Sequence, residues 1–176
     1  MGAGILPVSF YRGTLFVLLG KERFKENNQN LWCDFGGSVD KNNINEINNP
    51  YFTAIREGSE ELNGIFGDFD ILKNNVDKNY LYKISNNHNN YHSFLFNVKY
   101  DNKLPIYFNN QNKFIEKHLS HVILSDNGLF EKSQVKWFSI KQLKNNIHTD
   151  NFFRKHYISI IKKIINNEKS IIQQII

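Results

Sequence analysis

The chain has 176 residues, 40% hydrophobic and 14% aromatic, which suits one folded domain over 1–176 and excludes a disordered chain. With 22 Lys and Arg against 17 Asp and Glu, its formal charge of +5 favours an anionic partner, although part of the Asn, Lys and Ile excess is that of an AT-rich genome. No apolar run approaches the roughly 20 residues of a bilayer span, no cationic leader opens the chain, and Cys33, the only cysteine, has neither a disulfide partner nor a CxxC companion for zinc, so a cytoplasmic protein without membrane contact is expected.

SFYRGTLFVLLGKE (residues 9–22) predicts two strands joined at Arg12-Gly13, the second covering Thr14 to Leu19 and buried on both faces. The polar KERFKENNQN predicts a loop leading into the short apolar LWCDFGG. SVDKNNINEINN is polar and low in complexity, and predicts another loop. Pro50 suits the first position of a helix, where its missing N–H costs nothing. Gly64 suits the left-handed residue just past that helix. FDILKN, KNYLYKIS and YHSFLFNVKY then predict strands. NNQNKFIEKHLSHVI predicts loop and a short helix, and QVKWFSI a strand. Ser139 is placed to cap a helix beginning SIKQL. The last segment has apolar residues at 153, 157, 160, 161, 164 and 165, and predicts one long amphipathic helix. Strands between helices imply an α+β protein with its sheet sandwiched between helical layers.

REGSEELNG, residues 56–64, concentrates the acidic chemistry. On a helix over 51–62, at about 100° per residue, Phe52, Ile55, Ser59 and Leu62 form the stripe expected to pack on the sheet. Glu57, Glu60 and Glu61 fall together on the opposite side, since i, i+3 and i+4 are neighbours. Like charges at that spacing repel by a few tenths of a kcal/mol, and Arg56, paired with Glu60, offsets part of this. A hard divalent cation such as Mg²⁺ or Mn²⁺ would relieve the rest. Gly36-Gly37 adds a place where backbone approaches closely and can aim a carbonyl at such a cation. A solvated charged face is the alternative reading of the same pattern.

These residues resemble the signature of the Nudix hydrolases: Gly, five residues, Glu, seven residues, then Arg-Glu-U-x-Glu-Glu-x-Gly-U, with U bulky and apolar. Gly36-Gly37 and Arg56, Glu57, Glu60 and Glu61 match it; the flanking GILP, TLFVLLGKE and VKWFSIKQL agree, so the resemblance spans about residues 3–165. Three departures stand out. The segment between Gly37 and the helix is about five residues too long, and the first glutamate falls on Asn48, with Glu46 near but out of register. Asn63 replaces Gly, and Gly58 replaces an apolar residue at a cost of up to about 1 kcal/mol.

The resemblance implies a mixed central sheet in an α/β/α sandwich and a Mg²⁺- or Mn²⁺-dependent pyrophosphohydrolase. It implies Glu57, Glu60, Glu61 and the Gly36 carbonyl as metal ligands, Glu57 as a candidate base, and Arg56 as the residue that orients these carboxylates. Glu131, before Trp137, stands where many relatives place a further glutamate acting as base or extra ligand. Lys21, Arg23 and Lys25 are candidates for binding substrate phosphates, and Trp32 or Phe24 for stacking on a base. His88, His92, His118 and His121 have no coherent ligand spacing. Capped mRNA is one substrate the resemblance implies, as in decapping members of the family from large DNA viruses with AT-rich genomes, and it stands level with a small-molecule one. A nucleotide, a dinucleoside polyphosphate or a diphosphoinositol phosphate is the small-molecule alternative. A Nudix-fold module that binds a phosphorylated ligand or RNA without cleaving it is the non-enzymatic one. No obligate protein partner is evident.

Overall fold

The computed structural model describes residues 1–23, 31–119 and 130–176. Among these residues the frame is a seven-stranded mixed sheet. β1 (Gly2–Tyr11) and β2 (Thr14–Glu22) form an antiparallel hairpin whose turn places Arg12 and Gly13 at φ of +48° and +75°. That left-handed pair matches the twist of the flanking strands. The first half of β1 pairs instead with β4 (Phe35–Ser38), setting Gly4 opposite Gly36. The other edge of β1 runs parallel to β6 (Tyr91–Asn97), which carries β5 (Tyr80–Asn86) antiparallel on its far side. β2 pairs with β3 (Trp32–Cys33) and with β7 (Lys132–Ser139).

Helices cover both faces. α1 (Ile44–Asn48) and α2 (Pro50–Glu61) follow β4; α3 (Phe69–Asn79) precedes β5; α4 (Leu104–His118) precedes β7; and α5 (Ile140–Asn146), α6 (Ile158–Asn166) and α7 (Glu168–Ile175) close the chain. One core joins Ile55, Leu62, Leu72 and Phe108 to Ile5, Leu18 and Phe96. The other joins Leu143, Tyr157, Ile160, Ile161 and Ile164 to Leu6, Val17 and Leu95. This is the α/β/α sandwich with a mixed sheet that the sequence implies.

Several local expectations change. FDILKN is helical: Asp68 caps Ile71 N–H at 3.0 Å, and Leu72 and Val76 are buried at helical spacing. Residues 104–118 form one full helix rather than a loop with a short one. The polar 38–49 stretch contains α1, capped by Asn43. The final helix breaks at Asn167 into α6 and α7, after a 3-10 turn at Lys155–Tyr157. Pro50 opens α2 behind an Asn49 cap, and Ser139 forms a full capping box with Gln142.

α2 is also rotated from its expected orientation. Its buried residues are Thr53, Ala54, Ile55, Gly58 and Glu61, while Phe52 and Ser59 are only partly covered. Gly58 explains the rotation, because a Cβ there would collide with the side chain of Ile5 on β1. The helix end differs too. Asn63 N–H bonds the Glu60 carbonyl at 3.0 Å and Gly64 N–H the Ser59 carbonyl at 3.1 Å, the Schellman pattern. The left-handed residue at its centre is therefore Asn63, at φ +52°, with Gly64 following at +71°. Asn tolerates this region better than other residues with a Cβ, and the Asn63 amide oxygen also accepts Phe130 N–H at 3.3 Å.

Candidate active site

Arg56 is the hub of the acidic helix. Its Nε donates to Glu46 at 2.8 Å, Nη1 to Glu60 at 3.1 Å, and Nη2 to Glu57 at 2.8 Å and to the Ser38 carbonyl at 3.2 Å. Glu46 is the partner that sequence reasoning placed out of register. It is buried and also accepts from Asp40 N–H (3.0 Å), Thr53 Oγ1 (3.0 Å) and Asn43 Nδ2 (3.3 Å). Burial pushes the Glu46 carboxyl up, but the hydrogen bonds from Arg56, Asp40 N–H and Thr53 outweigh it and hold the pKa below the usual range. Asn48 is exposed. Eight residues separate Gly37 from Glu46 and nine separate Glu46 from Arg56, so the insertion is split across Glu46.

Glu57 turns back over β4. A Cβ on Gly37 would lie 2.5 Å from its carboxylate, so only glycine leaves room. Burial raises the Glu57 carboxyl; Arg56 opposes this, and Glu60 and Glu131 push it further up. Glu131 is half-buried just before β7 and is likewise raised, first by burial, against Lys132, with Glu22 and Glu60 adding repulsion. The fold thus brings Glu131 within electrostatic reach of Glu57 and Glu60, from a position 70 or more residues away in sequence.

Glu61 has a different environment. Its side chain is 3% exposed; Oε2 accepts Gly36 N–H at 2.7 Å and Oε1 faces Lys132 Nζ at 3.1 Å. Burial pushes the Glu61 carboxyl up and Lys132 pulls against it. Lys132 is fully buried and also donates to Glu22 at 2.7 Å and Cys33 Sγ at 3.2 Å. Burial alone would favour its neutral amine, but Cys33, Glu61 and Glu22 hold its pKa well above the ordinary lysine value. Arg154 adds a second cation on Glu22 at 3.3 Å.

Gly36 N–H leaves β4 on the edge that faces Glu61. In an extended strand the carbonyl of the same residue leaves on the same edge, so the Gly36 carbonyl also faces α2. Beneath it, Asp34 is buried and accepts from Tyr91 Oη at 2.8 Å and from Ser93 Oγ. Burial pushes its pKa up to about 6, against the two hydroxyls.

The expected phosphate-binding residues separate. Lys21 is partly exposed, with its ammonium 6.0 Å from the Trp32 ring centroid. Arg23 is instead a structural tie. Its side chain is 8% exposed and bonds the Phe130 carbonyl (2.6 Å), Asn112 (2.9 Å) and Glu116 (3.2 Å), holding Phe130 against α4. Trp32 is buried in edge contact with Phe138 at 5.0 Å, which is core packing rather than a stacking platform. Lys25, Phe24 and His121 lie outside the described residues.

Among the described residues, no three His, Cys, Asp or Glu side chains converge closely enough to hold a metal ion as they stand. Arg56 keeps Glu57 and Glu60 on separate nitrogens. The donor chemistry nevertheless fits Mg²⁺ or Mn²⁺, which prefer hard carboxylate oxygens. The repulsion that Glu60 and Glu131 exert on Glu57, and Glu60 on Glu131, is of the kind a divalent cation relieves.

Sequence reasoning missed Glu22 and Lys132 altogether. Lys132 was hidden by a β-bulge. The β2–β7 register shifts between Lys21 and Glu22, which breaks the alternation that would otherwise turn Ser133 inward with Val135 and Trp137. For Glu22 a signal was present: it continues the inward series of Leu18 and Gly20 on β2.

No protein-family model matches the sequence, and no curated protein does. Solved structures do match in fold. The Ap4A hydrolase of C. elegans, in a binary complex, superposes with a TM-score of 0.51 at 17% identity over 96% of this chain and 98% of that one. RenU, a Nudix hydrolase from M. smegmatis, gives 0.50 at 12% identity over 96% and 86%. A MutT/nudix family protein from Enterococcus faecalis gives 0.53 at 13% identity, over 98% of this chain and 66% of that one. The mixed sheet, the two helical layers and these likenesses together make the fold Nudix-like.

Proposed function

We propose that the protein is a metal-dependent pyrophosphohydrolase that cleaves a phosphoanhydride in a nucleoside-diphosphate-linked substrate. The observation that carries this reading is the Arg56-ordered pair Glu57 and Glu60, joined across the fold by Glu131. Glu57 and Glu60, with the Gly36 carbonyl, would hold Mg²⁺ or Mn²⁺. Such an ion, when bound, neutralises phosphate oxygens and acidifies a coordinated water. Arg56 positions both glutamates while tied to buried Glu46. Glu131, its carboxyl raised by burial, is suited to take the proton of the attacking water.

The test is a substrate panel with Mg²⁺ or Mn²⁺: capped RNA, nucleotides, dinucleoside polyphosphates and diphosphoinositol phosphates. Cleavage of at least one member is expected, lost on chelation and reduced about tenfold or more in Glu60→Gln. Hydrolysis unaffected by that substitution overturns the site assignment. A silent panel alongside tight binding of a phosphorylated ligand replaces the enzyme with a binding module.

A further inference from the structure

We propose that Lys132 is a resident counter-cation that takes Glu61 out of the metal-ligand set, leaving Glu57 and Glu60 to hold the ion without it. The proposal rests on the metal-dependent reading above and deepens it.

The ammonium is saturated where it stands. Its three N–H groups face three acceptors: Glu22 at 2.7 Å, Glu61 at 3.1 Å and Cys33 Sγ at 3.2 Å. Cys33 in turn donates its thiol S–H to Glu22 at 2.9 Å, so the group is internally satisfied. Room for the lysine is built in: a Cβ at Gly20 would lie 2.8 Å from Lys132 Cδ, so any larger residue on β2 would displace the stem.

Glu61 is committed on both oxygens, one to the ammonium and one to Gly36 N–H at 2.7 Å. Turning either oxygen outward would leave a buried N–H without its acceptor, or a buried ammonium one carboxylate short with only Glu22 and Cys33 remaining, an unfavourable exchange. A divalent ion entering on this side would also meet a buried positive charge. Glu57 and Glu60 face no such obstacle. Their side chains are 14% and 33% exposed, and each can exchange one Arg56 contact for a cation. Glu61 then acts as a positioning residue that fixes β4 against α2.

Two measurements on the full chain test this. In Mn²⁺ titrations followed by electron paramagnetic resonance without substrate, Glu57→Gln should weaken binding at least about tenfold, and Glu61→Gln less than about threefold. Equal losses in the two variants overturn the proposal. In urea unfolding, Glu61→Gln, Lys132→Met and the double variant should show coupling above about tenfold in the unfolding equilibrium constant. If Lys132→Met fails to fold and the double variant folds, the coupling is demonstrated directly; additive effects refute the pair. Wild-type protein that binds no Mn²⁺ would defeat the metal-dependent reading, while the unfolding cycle would still decide whether Glu61 belongs to Lys132.

Discussion

Glu46→Gln preserves the shape of a buried side chain while removing a charge shared by five donors. Those donors are Arg56 Nε and Nη2, Asp40 N–H, Thr53 Oγ1 and Asn43 Nδ2. Glutamine keeps one acceptor oxygen and turns an NH₂ towards at least two of them. Removing one partner of a buried ion pair costs about 3–5 kcal/mol. Arg56 is 29% exposed and retains Glu57 and Glu60, so the low end applies, about 3 kcal/mol. At roughly 2–4 °C per kcal/mol for a chain of this size, the melting temperature should fall by about 10 °C. The pH dependence has a definite sign. The folded carboxyl is held below its ordinary 4.5, so its stabilisation is present above that value and is lost as pH falls through the folded pKa. The gap between wild type and variant, measured by thermal melts from pH 3 to 8, should therefore be full at neutrality and close at the acid end. Adding Asn48→Glu, the register expected from the family pattern, should not rescue the variant, because residue 48 is exposed. An unshifted melting temperature, or rescue from position 48, would refute the assignment of Glu46 as the anchor of Arg56.

Gly37→Ala should leave the fold in place, at a cost of about 1–3 kcal/mol from local overpacking. Its methyl would lie 2.5 Å from the Glu57 carboxylate and push it aside, so Mn²⁺ affinity should fall about tenfold; unchanged affinity would mean that Glu57 is not a ligand. Asp34→Asn reports on the buried acid under β4. With the folded pKa pushed to about 6 from 3.8, the neutral form is favoured in the fold, and stability present below 3.8 is lost as pH rises through 6. The loss amounts to about 3 kcal/mol, and the variant should lack it; a wild-type-minus-variant difference that stays flat from pH 4 to 7 would refute this burial argument.

Much of the local structure was readable in advance where it depended on adjacent residues. The Arg12-Gly13 turn, the Asn49-Pro50 helix start and the Ser139 capping box are set by backbone chemistry within a few positions. FDILKN misled because a short apolar run suits a strand or a helix equally until Asp68 is seen to cap it. The packing face of α2 misled because it is chosen by contact with Ile5 at Gly58, which no helical projection contains.

By itself, then, the sequence determined that three glutamates and an arginine lie within one helical turn and a half of each other, behind a Gly-Gly strand. Only the tertiary structure decided what each carboxylate faces. Glu57 and Glu60 meet Arg56, whose anchor is Glu46 rather than position 48, and Glu61 meets a lysine 71 positions further along. The physical reason is that charge partners are assigned by distance through the sheet. A single β-bulge was enough to turn Lys132 inward beneath the acidic helix.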